Sequence, residues 1–396
     1  MRIALDARWI FPEISGIGAH TRELIRHLAQ LDGDNPYVLY FRTAGLRDRT
    51  WKEAGLADKH NFTPAVVPWG LFSPVGQLLM PRRLRADRID VFHSTNYMIP
   101  LLAFPKRGGH RIRCVATIHD LIPLLFPAAT PRALKTRLFP LYRRLMREIG
   151  ARADRIVAVS ETSRADILRC LRIPAGAADR VRVIYNGVSE CFGPPAGGRP
   201  ADGTAPARQR IVLYVGRGDP YKNLVPLIEA FDVLRRRAPF PVLLRIVGSP
   251  DPRYPEPRER ARQLGLDSFV AWSGYLETAA LVKAYQEADV AVLPSRYEGF
   301  GFPAVDAMAC ETPVVCNDIS VLREVAGDAA LFADADDRTA FAAALQSALQ
   351  DSPLRATLAA RGRVRARAFT WEQTARQTLD LYRELGAQAP AGGKDS

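Results

Sequence analysis

Residues 211–223 read Ile-Val-Leu-Tyr-Val-Gly-Arg-Gly-Asp-Pro-Tyr-Lys-Asn, and the fold turns on them. Ile211–Val215 is a short, continuous apolar run closed by Gly216, the pattern of a strand buried on both faces. A helical pattern over Leu224–Arg237 and a second apolar run at Val242–Val247 follow. Strand, crossover helix and strand in that order make a parallel unit. Phe269–Trp272, Val290–Leu293 and Val314–Val315 extend it, with helical stretches such as Thr278–Glu287 between them.

The same alternation runs upstream. Arg2–Ala7 predicts a strand, Ile17–Leu31 a helix and Tyr37–Phe41 a strand. Val91–His93, Cys114–Ile118 and Ile156–Val159 are short β-branched runs of the same kind. The pattern breaks at Glu190–Arg210, where Gly193-Pro194-Pro195, Gly197-Gly198 and Pro200 read as a linker. The prediction is an α/β protein of two Rossmann-like domains, residues 1–190 and 210–370, joined by a linker at 191–209. Two such sheets place ligands at the carboxyl ends of their strands, here in a central cleft. Helices are predicted at Thr339–Leu349, Leu354–Ala366 and Trp371–Leu385, and the small, polar tail 386–396 reads as disordered.

Composition narrows the class. The 396 residues are 47% hydrophobic and 24% charged, ordinary for a globular protein. No apolar run approaches the roughly 20 residues needed to span a bilayer. Asp6 and Arg8 interrupt the first apolar stretch, which argues against a secretory leader. The five cysteines are scattered and form no Cys-x-x-Cys pair, which favours a reducing cytoplasm over disulfides or structural zinc. The net charge is +13, and all of it lies in the first half: residues 1–190 hold 30 basic and 17 acidic side chains, residues 191–396 hold 25 of each. A basic half beside a neutral one implies an anionic partner: a phosphorylated substrate, anionic lipid or nucleic acid.

Four constellations carry chemistry. Gly16-Ile17-Gly18 follows the first strand and opens a helix, where the backbone can approach a ligand and helix amides favour anions. A dinucleotide fingerprint would want a third glycine where Thr21 stands, which weakens an NAD-dependent oxidoreductase reading. His119-Asp120 ends a strand, placing an imidazole able to donate, accept or exchange a proton beside a carboxylate. Arg217 and Lys222 follow the strand Ile211–Val215, where two cations suit a diphosphate. Glu298-Gly299-Phe300-Gly301-Phe302-Pro303 turns sharply into a helix whose amino end suits phosphate. Asp306 is predicted in that helix's opening turn. Glu298 and Asp306, eight positions apart, are expected to accept sugar and ribose hydroxyls through charge-assisted hydrogen bonds.

In this order, Gly-Ile-Gly, His119-Asp120-Leu-Ile-Pro, Val159-Ser160-Glu, Tyr185-Asn186-Gly187-Val188, Tyr214-Val215-Gly216-Arg217 with Lys222-Asn223, and Glu298-Gly-Phe-Gly-Phe-Pro resemble the retaining glycosyltransferases of family four. The resemblance covers Met1 to about Leu385 and is nearest to bacterial mannosyltransferase-like members that build surface polysaccharide. It implies the GT-B fold, with a final helix near 371–385 crossing back to the first domain. It implies that Arg217 and Lys222 hold the donor diphosphate, that Glu298 contacts the donor sugar, and that His119 lies near the transferring sugar. Gly16 and Gly18 match a loop near donor phosphates and acceptor, Gly299, Phe300 and Gly301 complete the donor loop, and Asp120 falls to the acceptor. Asp306 stands where the family has a second glutamate, which binds ribose. The resemblance also implies retention of configuration, a nucleotide-sugar donor (GDP-mannose, or a UDP-sugar as the alternative) and a glycan or polyprenyl-linked acceptor.

No bound metal or other cofactor is expected: the cations and a helix amino end would stabilise the leaving diphosphate. Asp32-Gly33-Asp34 and Asp334-Ala335-Asp336 read as solvated turns away from strand ends. Pro131–Arg152 places Leu134, Leu138, Leu141, Leu145 and Ile149 on one face of a basic amphipathic helix, kinked at Pro140. Such a helix either packs on the sheet or lies on an anionic membrane. Nucleic-acid binding is disfavoured, because aromatics rarely interleave with the basic residues.

Overall fold

The computed structural model describes residues 1–106, 112–129, 138–197 and 209–387. These form two compact units. The described residues of the first come from Met1–Leu121, Pro140–Gly187 and Thr370–Ser396, those of the second from Ile122–Phe139 and Val188–Phe369.

The first unit holds a seven-stranded parallel sheet: β1 (Ile3–Asp6), β2 (Tyr37–Phe41), β3 (Phe62–Val66), β4 (Val91–Ser94), β5 (Arg113–Ile118), β6 (Arg155–Ala158) and β7 (Val181–Val183). Their order is β3-β2-β1-β4-β5-β6-β7. The second holds six parallel strands: β8 (Arg210–Val215), β9 (Val242–Val247), β10 (Val270–Gly274), β11 (Val290–Leu293), β12 (Val314–Asn317) and β13 (Ala330–Ala333), ordered β10-β9-β8-β11-β12-β13. The helices that bear on the site are α1 (Gly16–Leu31), α2 (Pro74–Ala86), α3 (Phe139–Arg152), α4 (Leu224–Arg237), α5 (Phe302–Ala309) and α6 (Trp371–Ala387).

The central strands are buried on both faces, as unbroken apolar runs require. α6 packs into the first unit, with Ala375, Leu379, Leu381, Tyr382 and Leu385 in one core with Ile3, Leu5 and Leu24. Its start forces glycine at 187: a Cβ there would lie 2.1 Å from the Trp371 backbone nitrogen. None of the five cysteines is in a disulfide. Among the described residues, no helix is long and apolar enough to cross a membrane.

Several sequence expectations need correction. Pro140 does not kink a helix; it is the second residue of α3, where its missing N–H costs no hydrogen bond. The apolar face of α3 that packs is Tyr142, Met146 and Ile149, while Leu141 is 62% exposed. Leu134 lies outside the described residues. Asp32 is not a solvated turn residue: it is buried, accepting from the Tyr37 hydroxyl, the Asn35 side chain and two backbone amides. Asp334 is not away from a strand end, because it directly follows β13. Of the linker, 198–208 lies outside the described residues, whereas Phe192 stacks edge-on against Tyr285 and the Gly193 carbonyl accepts from Gln286. Gly386 and Ala387 still belong to α6, and the rest of the expected disordered tail lies outside the described residues.

Candidate active site

Each parallel sheet has one point where consecutive strands depart in opposite directions, and open α/β sheets bind ligands at the carboxyl side of that point. In the second unit it lies between β8 and β11. The loops leaving those two strands carry Lys222 and Glu298, whose Nζ and Oε1 are 2.7 Å apart. Both side chains are largely buried, at 15% and 11% exposure. The loops are also joined by the Arg296 amide donating to the Tyr221 carbonyl. Asp336 completes the joint, accepting from Asn223 and Arg296. The protein's own hydrogen bonds and ion pairs thus fix this polar edge, as effective electrostatic stabilisation requires.

Arg217 does not converge with Lys222. Its guanidinium pairs with Asp219 and Asp251 and is more than half exposed. Asp251 is held down to about 2, first by the hydrogen bond from Arg253 and further by the Arg253 and Arg217 charges. Arg217 would have to exchange these carboxylates for ligand oxygens.

The turn into α5 needs glycine at 301, where φ is +95°, in the left-handed region. Gly299 lies beside it, half-buried. The Phe300 side chain is buried against Phe302 and Phe369. Asp306 is the fifth residue of α5, past its opening turn. Burial pushes its carboxyl up to about 8. At neutral pH it is therefore chiefly a neutral acid, which corrects the expectation of a second charged acceptor. The two carboxyls have separate surroundings: Glu298 bears on Tyr214 and Cys316, Asp306 on Tyr285.

In the first unit the reversal falls between β1 and β4. Gly16 and Gly18 form the first turn of α1, capped by the Ser15 hydroxyl accepting from the Gly18 amide at 3.4 Å. His119 follows β5, buried, and its Nε2–H donates to the Thr95 carbonyl at 3.0 Å. That bond fixes the tautomer and leaves Nδ1 as an acceptor. Burial holds the imidazole below its ordinary value, which favours the neutral form, with Nδ1 able to accept a hydrogen bond. Asp120 is half-buried, and its charge reaches Tyr97 and Tyr142.

Two residues that sequence reasoning passed over organise this edge. Thr95 ties three segments, donating to the Asp6 carbonyl, receiving from Thr21 and offering its own carbonyl to His119. His20 packs edge-on against His119 at 4.6 Å and bonds Asn186 through Nδ1. Its Nε2 is buried without a partner. The signal for His20 was present, since it lies two residues past Gly18 on the helix that Gly16 opens. Thr95 had none, because it follows a strand as a single unremarkable hydroxyl.

The structure thus brings Lys222 to Glu298 on one edge. On the other it places Gly16 and Gly18, His119 and Asp120 around one strand reversal. Among the described residues, no hydrogen bond or ion pair is seen between Arg217 or Asp306 and the Lys222–Glu298 pair.

Comparison with known proteins adds an independent line. Residues 200–365 match the family described as glycosyl transferases group 1, and residues 14–190 match Glycosyltransferase Family 4. The chain is 31% identical to O-antigen chain mannosyltransferase B of Escherichia coli over 401 residues, which is 97% of this chain and 100% of that one. It is 29% identical to the MMP alpha-(1->4)-mannosyltransferase of Mycolicibacterium hassiacum over 431 residues, 99% of this chain and 100% of the relative. Its fold matches that of sucrose-phosphate synthase from Thermosynechococcus elongatus with a TM-score of 0.75 over 98% of this chain and 99% of that one, at 24% identity.

Proposed function

We propose, from the premise that the chain belongs to the group 1, family four glycosyltransferases with the GT-B fold, that it moves mannose from GDP-mannose onto a glycan or polyprenyl-linked acceptor. Glycosyl transfer in polysaccharide synthesis follows from the family and its relatives; the donor, stereochemistry and acceptor are our reading. Two relatives matched along their full lengths are named as mannosyltransferases, which supports mannose.

The observation that carries the site is the Lys222–Glu298 pair at the β8/β11 reversal. Transfer breaks the bond between the anomeric carbon and the diphosphate oxygen and forms one to an acceptor oxygen. Negative charge gathers on the leaving diphosphate while the sugar becomes oxocarbenium-like. Lys222, and Arg217 once released from its carboxylates, would stabilise the leaving charge, together with the amino end of α5. Glu298 would hold the donor sugar's hydroxyls and orient Lys222. Asp306, neutral, would donate a hydrogen bond to a ribose hydroxyl. On the first unit, His119 Nδ1 would accept from a hydroxyl of the transferring sugar, Asp120 would serve the acceptor, and the Gly16–Gly18 turn would admit phosphate or acceptor backbone-close.

In this reading the enzyme is retaining, needs no metal because cations and helix amides take that role, and works in the cytoplasm, peripherally on the membrane face. Its basic first half serves an anionic acceptor or lipid, not nucleic acid. Turnover of GDP-mannose in chelator, with the product's anomeric configuration read by NMR, tests this. We expect mannose release or transfer with the α-configuration kept. Inversion, or dependence on added divalent cation, would overturn the mechanism.

A further inference from the structure

The first unit carries an exposed apolar row that folding leaves uncovered. Phe72, Val75, Leu78, Leu102 and Leu141 are each at least half exposed. They lie on three neighbouring segments of one sheet face. α2 is joined to the turn at Leu101–Ala103 by Gln77, which donates to the Ile99 carbonyl and accepts from the Leu101 amide. On its other side that turn meets α3, where Arg152 donates to the Leu101 and Phe104 carbonyls. Nearer the carboxyl edge, the rings of Phe72, Tyr97 and Tyr142 link the same segments. Phe72 and Val75 follow β3, and Leu141 adjoins Tyr142, which the charge of Asp120 beside His119 reaches.

The rim of this row is basic. Arg82 stands one turn from Leu78 and Arg144 one turn from Leu141; both are exposed, with no ion pair among the described residues. Arg143 and Arg147 lie on the same helix. Burial, then the Arg172 and Arg143 charges, hold the Arg147 guanidinium below its ordinary value. The one acid of α3, Glu148, is already paired with Lys106 and Arg152. Apolar side chains bordered by exposed arginines match an interface between acyl chains and anionic headgroups. α3 cannot hide these leucines by rotating, because its opposite face is fixed in the core by Tyr142, Met146 and Ile149.

We propose that Phe72, Val75, Leu78, Leu102 and Leu141, with Arg82, Arg143 and Arg144, form the surface by which the first unit docks on an anionic lipid bilayer. The proposal locates the membrane contact and rests on the peripheral reading above. Docking would hold the acceptor-side edge at the bilayer, where a polyprenyl-linked acceptor is presented.

Flotation of the full chain with vesicles of phosphatidylglycerol and phosphatidylethanolamine, against vesicles of phosphatidylcholine alone, tests it without any sugar transfer. We expect capture by the anionic vesicles at least tenfold above the neutral ones, weakened by salt. Leu78→Glu with Leu141→Glu, and separately Arg82→Glu with Arg144→Glu, should each lower it at least tenfold. Both substitution pairs are on the surface, and circular dichroism and GDP binding should stay as in wild type. Equal capture by both vesicles, or wild-type capture by both variants, would overturn the proposal. So would vesicle-free protein that sediments as a dimer undone by Leu78→Glu, which would assign the row to a second copy. Failure of the wild-type chain to float with anionic vesicles, with GDP-mannose turnover intact, would refute the docking surface and leave the transferase reading standing.

Discussion

Glu298→Ala is expected to lower turnover by about 10²- to 10³-fold, the loss typical when a preorganised polar group is taken from a charged transition state. The reason is specific to the β8/β11 reversal. Glu298 is largely buried and contacts Lys222 at 2.7 Å, so its removal would delete the proposed sugar contact and free the Lys222 cation. The loops keep two other ties, the Arg296 amide to Tyr221 and Asp336 to both Asn223 and Arg296. Lys222 is long enough to carry its charge to water. The cost in stability should therefore stay below the roughly 3–5 kcal/mol of a broken, fully buried ion pair. Steady-state kinetics with GDP-mannose, alongside circular dichroism and thermal melting, reads both effects. Turnover within a few-fold of wild type would remove Glu298 from the site. Loss of activity together with loss of fold would make its role structural.

Gly187→Ala is expected to have the largest effect on stability. The added methyl would lie 2.1 Å from the Trp371 nitrogen, 2.5 Å from the Thr370 carbonyl carbon and 2.6 Å from the Trp371 Cα. These are backbone atoms at the start of α6, and α6 is anchored there by the Thr374 hydroxyl donating to the Tyr185 carbonyl. Neither segment can step aside without shifting Leu379 and Tyr382 in the core. Overpacking of this kind costs about 3 kcal/mol or more. For a unit of this size that is a fall in Tm of roughly 6–12 °C. Gly176, with open space around its Cα, is the control, and Gly176→Ala should melt near wild type. Equal melting of the two variants would show that the close approach is not maintained in solution.

Much of this architecture was legible in the sequence. The buried central strands announced themselves because a strand covered on both faces has no reason to alternate. The strands that escaped notice, β3, β7 and β13, are all at sheet edges. β3 carries Pro64, tolerated at an edge and nowhere inside a sheet. β7 has only three residues. At the site, Lys222 and Glu298 could be proposed because each follows a strand within a Gly-rich turn. That they pair could not be read from positions 76 apart. Asp306 illustrates a different limit: its residue type and spacing suggested a charged acceptor, and only the burial around α5 reveals a neutral acid. Phe300 shows the converse, since a phenylalanine between two glycines looks like a ligand contact until its neighbours Phe302 and Phe369 are seen. In α3 the leucine spacing was read correctly as amphipathic, but the buried face was set by Tyr142 and Met146, whose amphipathic rings and soft side chains blur the pattern.

The most direct test of the central claim, a nucleoside-diphosphate site at the β8/β11 reversal, is calorimetric titration of the full chain with GDP, UDP and ADP, repeated on Lys222→Ala. The account predicts that GDP binds most tightly and that Lys222→Ala weakens it by roughly tenfold or more, the worth of one charge-assisted hydrogen bond. Preference for UDP would keep the site and replace mannose with a UDP-linked sugar. Unchanged GDP affinity in Lys222→Ala, or heat from none of the three nucleotides, would contradict the assignment of that edge to the donor.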